Sequence, residues 1–287
     1  MGTDTPALRP RERLGRELRA LRLRAGLSGE QLAERIGTSQ SRVSRTETAR
    51  YRADLDMVRR WLEATDADEE TGARLLDLAD DALVEVAAYR SIFRGSMATE
   101  QQARIRQDAA ATHLRHFQPF MIPGPLQTQK FARAALLAAR VADESGIDEA
   151  VAARLERGKR LRRRGAPKYH VVLTELALRW RPLDATTDDH ADAIRAVLAA
   201  ARVPSITIQV VTADTPSRRA PMCAFLITEF PRRADEPTIV QVELPAVEMT
   251  FIGVEDVLAF ESVWEHMANA ALSPQESAKF IAGILRE

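Results

Sequence analysis

LSGEQLAERIGTSQSRVSRTETAR, residues 27–50, decides how the amino-terminal part of this chain folds. Ser28 stands where a helix N-cap belongs, and Gln31 three residues later completes a capping-box pattern. Leu32, Ala33 and Ile36 then fall on one helical face, with Ala33 small enough for another helix to approach closely. Gly37 follows at the position where a helix stops in a left-handed conformation. Ser39 can cap a second helix whose inward position is Val43, while Gln40, Ser41, Arg42, Ser44 and Arg45 face outward. The pattern predicts two short helices joined by a tight turn. An ordinary helical hairpin with a solvated polar face shares it; the flanking helices and the charge distribution argue against that reading.

The outward residues suit double-stranded DNA. A helix fits the major groove, where each base pair displays a distinct set of donors and acceptors. Gln40 opens the second helix, and its amide offers a donor and an acceptor side by side, matching adenine N6 and N7. Arg42 and Arg45 can each donate a fork to guanine or to phosphate oxygens. Helix N–H groups near Ser39 to Ser41 favour a nearby phosphate. The expected DNA-binding set is Thr38, Ser39, Gln40, Ser41, Arg42, Ser44, Arg45 and Arg50. Within it, Gln40 and Arg42 discriminate sequence, while Thr38, Arg45 and Arg50 position the backbone. Such heads read two half-sites about one helical turn apart, which predicts a homodimer on an inverted repeat.

Residues 10–65, with RLGRELRALRLRAGLS before the motif and LDMVRRWLEA after it, resemble the lambda-repressor-like helix-turn-helix family, the xenobiotic-response-element type. The resemblance implies that Gln40 to about Glu47 is the recognition helix. It also implies a structural salt bridge between Arg22, late in the first helix, and Glu47. The chain departs from the family twice. Gly29 stands where many members carry a phosphate-contacting Gln, and Ala49 stands where Gly often ends the recognition helix, which implies local strain or a changed turn.

At 287 residues the chain is far longer than such a module needs, so a second core is expected. Net charge is zero overall but unevenly divided. Residues 1–65 hold 14 Arg against 9 acidic residues, leaving the remainder acidic by 5. A basic head on an acidic body suits phosphate binding at one end. The single Cys223 excludes an intrachain disulfide and fits a reducing cytoplasm. No apolar run is long enough to span a membrane, and the first residues lack an apolar signal core.

Three parts are expected: a helix-turn-helix domain over 1–66, a helical connection over 67–95 and an α/β domain over 96–287. Leu55, Val58, Trp61 and Leu62 close the small core, and helical period continues over 68–93. RGSMA (94–98) is a break before a helix running to about residue 116. Pro119, Pro123, Gly124 and Pro125 then forbid regular helix until about Thr128. A helix over 148–164 ends in seven Lys or Arg between Arg154 and Arg164, either a DNA or acidic-partner contact or a solvated face paired with Glu149 and Glu156. Four strands are expected, in YHVVLTELAL, SITIQVV, MCAFLITEF and TIVQVEL, with helices over 188–201 and 254–272. A last helix opens with Ser273-Pro274-Gln275-Glu276, an N-cap, a first-turn proline and a capping-box Glu. The class is α+β: an all-α head, then a mixed body with about four strands.

That body is similar to the large carboxy-terminal domain of many actinobacterial helix-turn-helix regulators, often described as antitoxin-like. IPGPLQTQKFARAAL, the series from Tyr169 to Val211, and ALSPQESAKFI carry the resemblance. Pro125 replaces one of two leucines usual there, and the loop ADTPSRRAP lacks the Gly and His common in relatives. The resemblance implies regulation of development or secondary metabolism, often with a small acidic protein encoded alongside; the alternatives are an antitoxin-like module that binds such a partner and uses DNA binding for autoregulation, or a small-molecule sensor. No catalytic constellation, cofactor or metal is expected. His113 and His116, three apart on an expected helix, lack a third ligand. His170 and Glu175 fall on opposite faces of an expected strand. Cys223 reads as a small buried hydrophobe rather than a nucleophile.

Overall fold

A computed structural model describes residues 10–51, 53–88, 105–139, 147–216, 222–231, 237–244 and 247–286. The chain divides into two compact units, residues 1–85 with 251–254 and residues 86–250 with 255–287.

The first unit is built from α1 (Pro10–Arg24), α2 (Gly29–Arg35), α3 (Gln40–Glu47), α4 (Leu55–Ala64) and α5 (Glu69–Asp81). Their apolar faces meet in one core that includes Leu18, Leu32, Val58, Trp61 and Leu75, all fully buried. Burying Trp61 requires a partner for its indole N–H, and the Leu18 carbonyl accepts it at 3.1 Å. Helix α5 contributes Leu75, Leu78 and Ala79 to this core, so it is part of the head rather than of a connection between domains. The first four helices all end in the same way, with a left-handed residue whose successor donates back to the helix carbonyl five residues earlier. Gly26, Gly37, Ala49 and Asp66 take the left-handed place. The closing bonds are Leu27 to Arg22, Thr38 to Ala33, Arg50 to Arg45 and Ala67 to Leu62. Ala49, at φ +54°, therefore keeps the usual turn and carries the steric cost of a Cβ there.

A mixed sheet of seven strands, in the order β1-β7-β6-β5-β2-β3-β4, belongs to the second unit but for Val84, Glu85 and Phe251 at the ends of its first and last strands. The strands are β1 (Val84–Ala88), β2 (His113–Gln118), β3 (Lys168–Thr174), β4 (Ile206–Val211), β5 (Phe225–Glu229), β6 (Ile239–Glu243) and β7 (Val247–Phe251). β2, β3 and β4 run parallel, with Leu114 opposite Tyr169 and Tyr169 opposite Ile206. β5 is antiparallel to β2 and to β6. The parallel crossovers carry the helices, as they must. α6 (Gln129–Ala139) and α7 (Ile147–Leu161) lie between β2 and β3; α8 (Glu175–Arg179) and α9 (Thr187–Ala200) lie between β3 and β4. One sheet face, with Leu114, Val171, Leu173, Ile208 and Val210, packs with α6, α9 and α11 (Pro274–Ile284) into the main core. The other face carries Phe117 and Phe225, 5.5 Å apart, and Phe225 lies 5.1 Å from Phe260 of α10 (Val254–Ala270).

The expected mixed class holds, but the strand count rises from about four to seven. β1 lies in the run read as helical over 68–93, and β2 lies where a helix was expected to run to 116; that helix is described only over 105–110. β2 reads HLRHFQ, with His and Arg on the face whose charges α10 neutralises, so alternation of apolar and polar residues is blurred. β7 was not expected at all. In YHVVLTELAL the strand stops at Thr174, whose hydroxyl accepts from the Ala177 N–H and starts α8 instead. The expected break at 94–98 lies outside the described residues.

Candidate nucleic-acid interface

Helices α2 and α3 form around two serine caps. Ser28 Oγ accepts from Gln31 N at 3.1 Å and Gln31 Oε1 accepts from Ser28 N at 2.8 Å, the reciprocal capping box. Ser39 Oγ accepts from Arg42 N at 3.2 Å, which sets the start of α3 at Gln40. At the intervening turn, Arg60 donates to the Ile36 carbonyl at 2.7 Å, satisfying one of the acceptors that a helix end leaves open. Gly29 sits at the first position of α2. A Cβ built there would lie 3.6 Å from the Gln40 side chain, so the two helix starts are neighbours.

Helix α3 is divided cleanly between core and solvent. Val43 and Thr46 are buried, whereas Ser39, Gln40, Ser41, Ser44 and Arg50 are exposed and Thr38, Arg42 and Arg45 are half-buried. All eight residues expected to meet DNA therefore come together on and beside one helix. The carboxyl end of α3 is held by α1. Arg22 grips Glu47 with two bonds, Nε to Oε1 at 2.5 Å and Nη2 to Oε2 at 2.9 Å, and Nη1 donates to the Leu27 carbonyl at 2.8 Å. The carboxylate also pushes the Arg22 pKa further up through its hydrogen bonds, so this cation holds its charge. Beside the pair, a Cβ at Gly15 would meet the Thr46 and Glu47 carbonyl oxygens at 2.7 and 2.9 Å, so α1 crosses α3 at backbone contact.

Two participants were not singled out from sequence. Gly15 looks like any helix-interior glycine until the crossing is seen. Tyr51 stands nine residues after Arg42, too far for helical spacing to relate them. Its ring lies 4.8 Å from the Arg42 guanidinium carbon and 5.9 Å from that of Arg45.

In the second unit the basic run of α7 and the turn after it is largely occupied within the fold. Arg154 donates to Gln127 Oε1 at 3.0 Å, and Arg157 forms a buried two-bond pair with Asp108, the shorter bond being 2.8 Å. Arg160 bonds Glu156 at 3.0 Å, and Arg162 donates to the carbonyls of Gly158 and Pro125. The Pro-Gly-Pro turn has a structural reason too. Its Pro125 carbonyl lies so close to Gly158 that a Cβ there would be 2.3 Å away, and Gln127 donates to the Ile122 carbonyl at 2.7 Å. His113 and His116 are in strand β2 and not on a helix, so an offset of three sends them to opposite faces. His116 bonds the Tyr169 hydroxyl at 2.8 Å, and burial lowers its pKa to about 4. His170 bonds Gln209 at 2.8 Å, while Glu175 opens helix α8. Cys223 is partly exposed rather than buried, and desolvation raises its pKa, which keeps it a thiol.

The head thus has the build of a helix-turn-helix domain, and the profile of that domain family matches residues 13–75. The chain belongs to the family defined by the domain of unknown function DUF5753, which matches residues 101–283. No curated protein matches the chain. Among solved structures, a phospholipase D family member, Nuc from Salmonella typhimurium, is 14% identical, with 66% of this chain and 96% of that one covered; its TM-score of 0.28 carries no argument about fold or activity. Among the described residues no helix is long and apolar enough to cross a membrane.

Proposed function

We propose that this protein is a cytoplasmic, sequence-specific regulator of transcription that reads double-stranded DNA through residues Gln40 to Arg45. One observation carries the reading: α3 buries Val43 and Thr46 and presents Gln40, Ser41 and Ser44 to solvent, with Arg42 and Arg45 beside them. A helix anchored on one side and polar on the other is what major-groove readout requires. In this reading Gln40 and Arg42 discriminate bases, while Thr38, Arg45 and Arg50 hold the phosphate backbone. Two heads in a homodimer engage an inverted repeat with half-sites about 34 Å apart. The protein has no catalytic role, and its targets lie in development or secondary metabolism, as its sequence resemblance implies.

The test is selection of bound duplexes from a random pool by the full-length chain, followed by measurement of Gln40→Ala on the selected duplex and its single-base variants. The expected loss is about 1–3 kcal/mol, confined to one base pair in each half-site. Uniform weakening at every position would remove Gln40 from base readout, and no enrichment by the wild type would reject the function.

A further inference from the structure

Tyr51 lies just beyond the recognition helix, and its backbone is tied to it. The Tyr51 N–H donates to the Arg45 carbonyl at 2.9 Å, the same oxygen that accepts from Arg50 N at 2.7 Å. The ring is only partly exposed, and it stands 4.8 Å from the Arg42 guanidinium carbon and 5.9 Å from the Arg45 one. Arg42 and Arg45 are three residues apart and so are neighbours on one helix face. Placing two cations against one ring costs mutual repulsion, which the negative face of the ring offsets in part. Arg45 is tethered along its length as well, its Nε donating to the Ser41 carbonyl at 3.3 Å, and Arg42 Nε is buried.

An arginine on an open helix face samples many rotamers and loses that freedom when it grips a ligand. One already lying against an aromatic ring has lost most of it beforehand, which improves affinity for the geometry it holds and no other. We infer that Tyr51 is a positioning residue that fixes Arg42, and to a lesser degree Arg45, in a binding-ready conformation before duplex DNA arrives. The inference rests on the DNA-reading function proposed above and assigns the preorganisation of its arginines to one ring. Tyr51 touches the readers rather than the bases.

The experiment compares full-length wild type, Tyr51→Phe and Tyr51→Leu. In the absence of DNA, the Arg42 Nε–Hε resonance reports the ring directly through its ring-current shift and slowed motion. The shift is expected in wild type and Tyr51→Phe and lost in Tyr51→Leu. On the duplex enriched by wild type, Tyr51→Leu weakens binding about 5- to 10-fold and Tyr51→Phe less than about twofold. On random-sequence duplex both variants stay within about twofold of wild type, because phosphate contacts carry that binding. A mobile, unshifted Arg42 side chain in the free wild type overturns the inference whether or not Tyr51→Leu folds. So does equal loss on both duplexes, or full affinity of Tyr51→Leu for the enriched one. Failure of wild type to enrich any sequence is a separate result that rejects the function itself.

Discussion

Removing Glu47 tests whether the recognition helix is held from behind. The Arg22–Glu47 pair is two-pronged, and the side chains are only 11% and 7% exposed. Glu47→Ala strands the Arg22 guanidinium in that environment with one remaining partner, the Leu27 carbonyl. Breaking a buried pair from one side costs about 3–5 kcal/mol. The residual exposure and the surviving bond put this case at the lower end, about 3 kcal/mol. Arg22→Met is milder, about 2 kcal/mol, because Arg19 already lies 3.9 Å from Glu47 and can move in. The double variant Arg22→Met with Glu47→Ala leaves no orphaned charge and loses about 1 kcal/mol. The coupling energy, the two single losses less the loss of the double variant, is therefore about 4 kcal/mol. Amide-exchange free energies at Leu18, Val58 and Trp61 measure it, since these buried positions open only when the head unfolds. Additive single variants that each cost less than about 1 kcal/mol would show that the pair does not hold α3.

Two further outcomes concern the second unit. Gly158→Ala should destabilise it by about 2–3 kcal/mol or displace the 123–126 turn, because the new methyl group meets the Pro125 carbonyl at 2.3 Å; chemical unfolding followed at strand β3 measures this, and wild-type stability would mean that the turn yields freely. The partly buried His116 has its pKa lowered from 6.5 to about 4 by burial, and His113 and His170 are lowered for the same reason. The unfolded chain thus binds protons first, so stability is full above pH 6.5 and falls as pH drops toward 4, with His116 contributing up to about 2 kcal/mol of loss at pH 5. Amide exchange in β3 at pH 7 and pH 5 tests this, and His116→Gln should flatten the slope.

The head was readable from sequence because each of its rules is local. Ser28 with Gln31, Gly37 and Ser39 act within a few residues, and the structure shows each doing what its chemistry allows. The same holds for Ser273 and Glu276 at the start of α11. The body resisted where meaning depends on distant partners. His113, Arg115 and His116 make β2 look unlike a strand. In the fold Arg115 is neutralised by Glu229 at 2.8 Å and by Glu261 of α10, residues more than 100 positions away. A strand in the middle of a sheet with helices on both faces also shows little alternation, and its signature comes from neighbours absent from the local window. Tyr51 was hidden for a related reason: it reaches Arg42 only because the chain turns at Ala49.

Arginine content is a poor guide to where this protein meets an anion, and the two units show why. Both are rich in Arg, yet the fold uses many of them as hydrogen-bond donors to its own carbonyls and carboxylates. In α7 and the turn after it, Arg154, Arg157, Arg160 and Arg162 are engaged with Gln127, Asp108, Glu156 and the carbonyls of Pro125 and Gly158. A ligand phosphate would have to displace those bonds, several of them partly or wholly buried, before gaining anything. In the head, Arg22, Arg35 and Arg60 serve the same internal purpose, toward Glu47, the Ala64 carbonyl and the Ile36 carbonyl. Arg42 and Arg45 have in addition the face of an aromatic ring, which attracts the cation through its π-electrons rather than through an N–H donor, although Arg45 also gives its Nε–H to the Ser41 carbonyl. A ring contact fixes a guanidinium's position without itself occupying an N–H donor. That ring contact, rather than the total positive charge, distinguishes the pair on α3 from the arginines of α7.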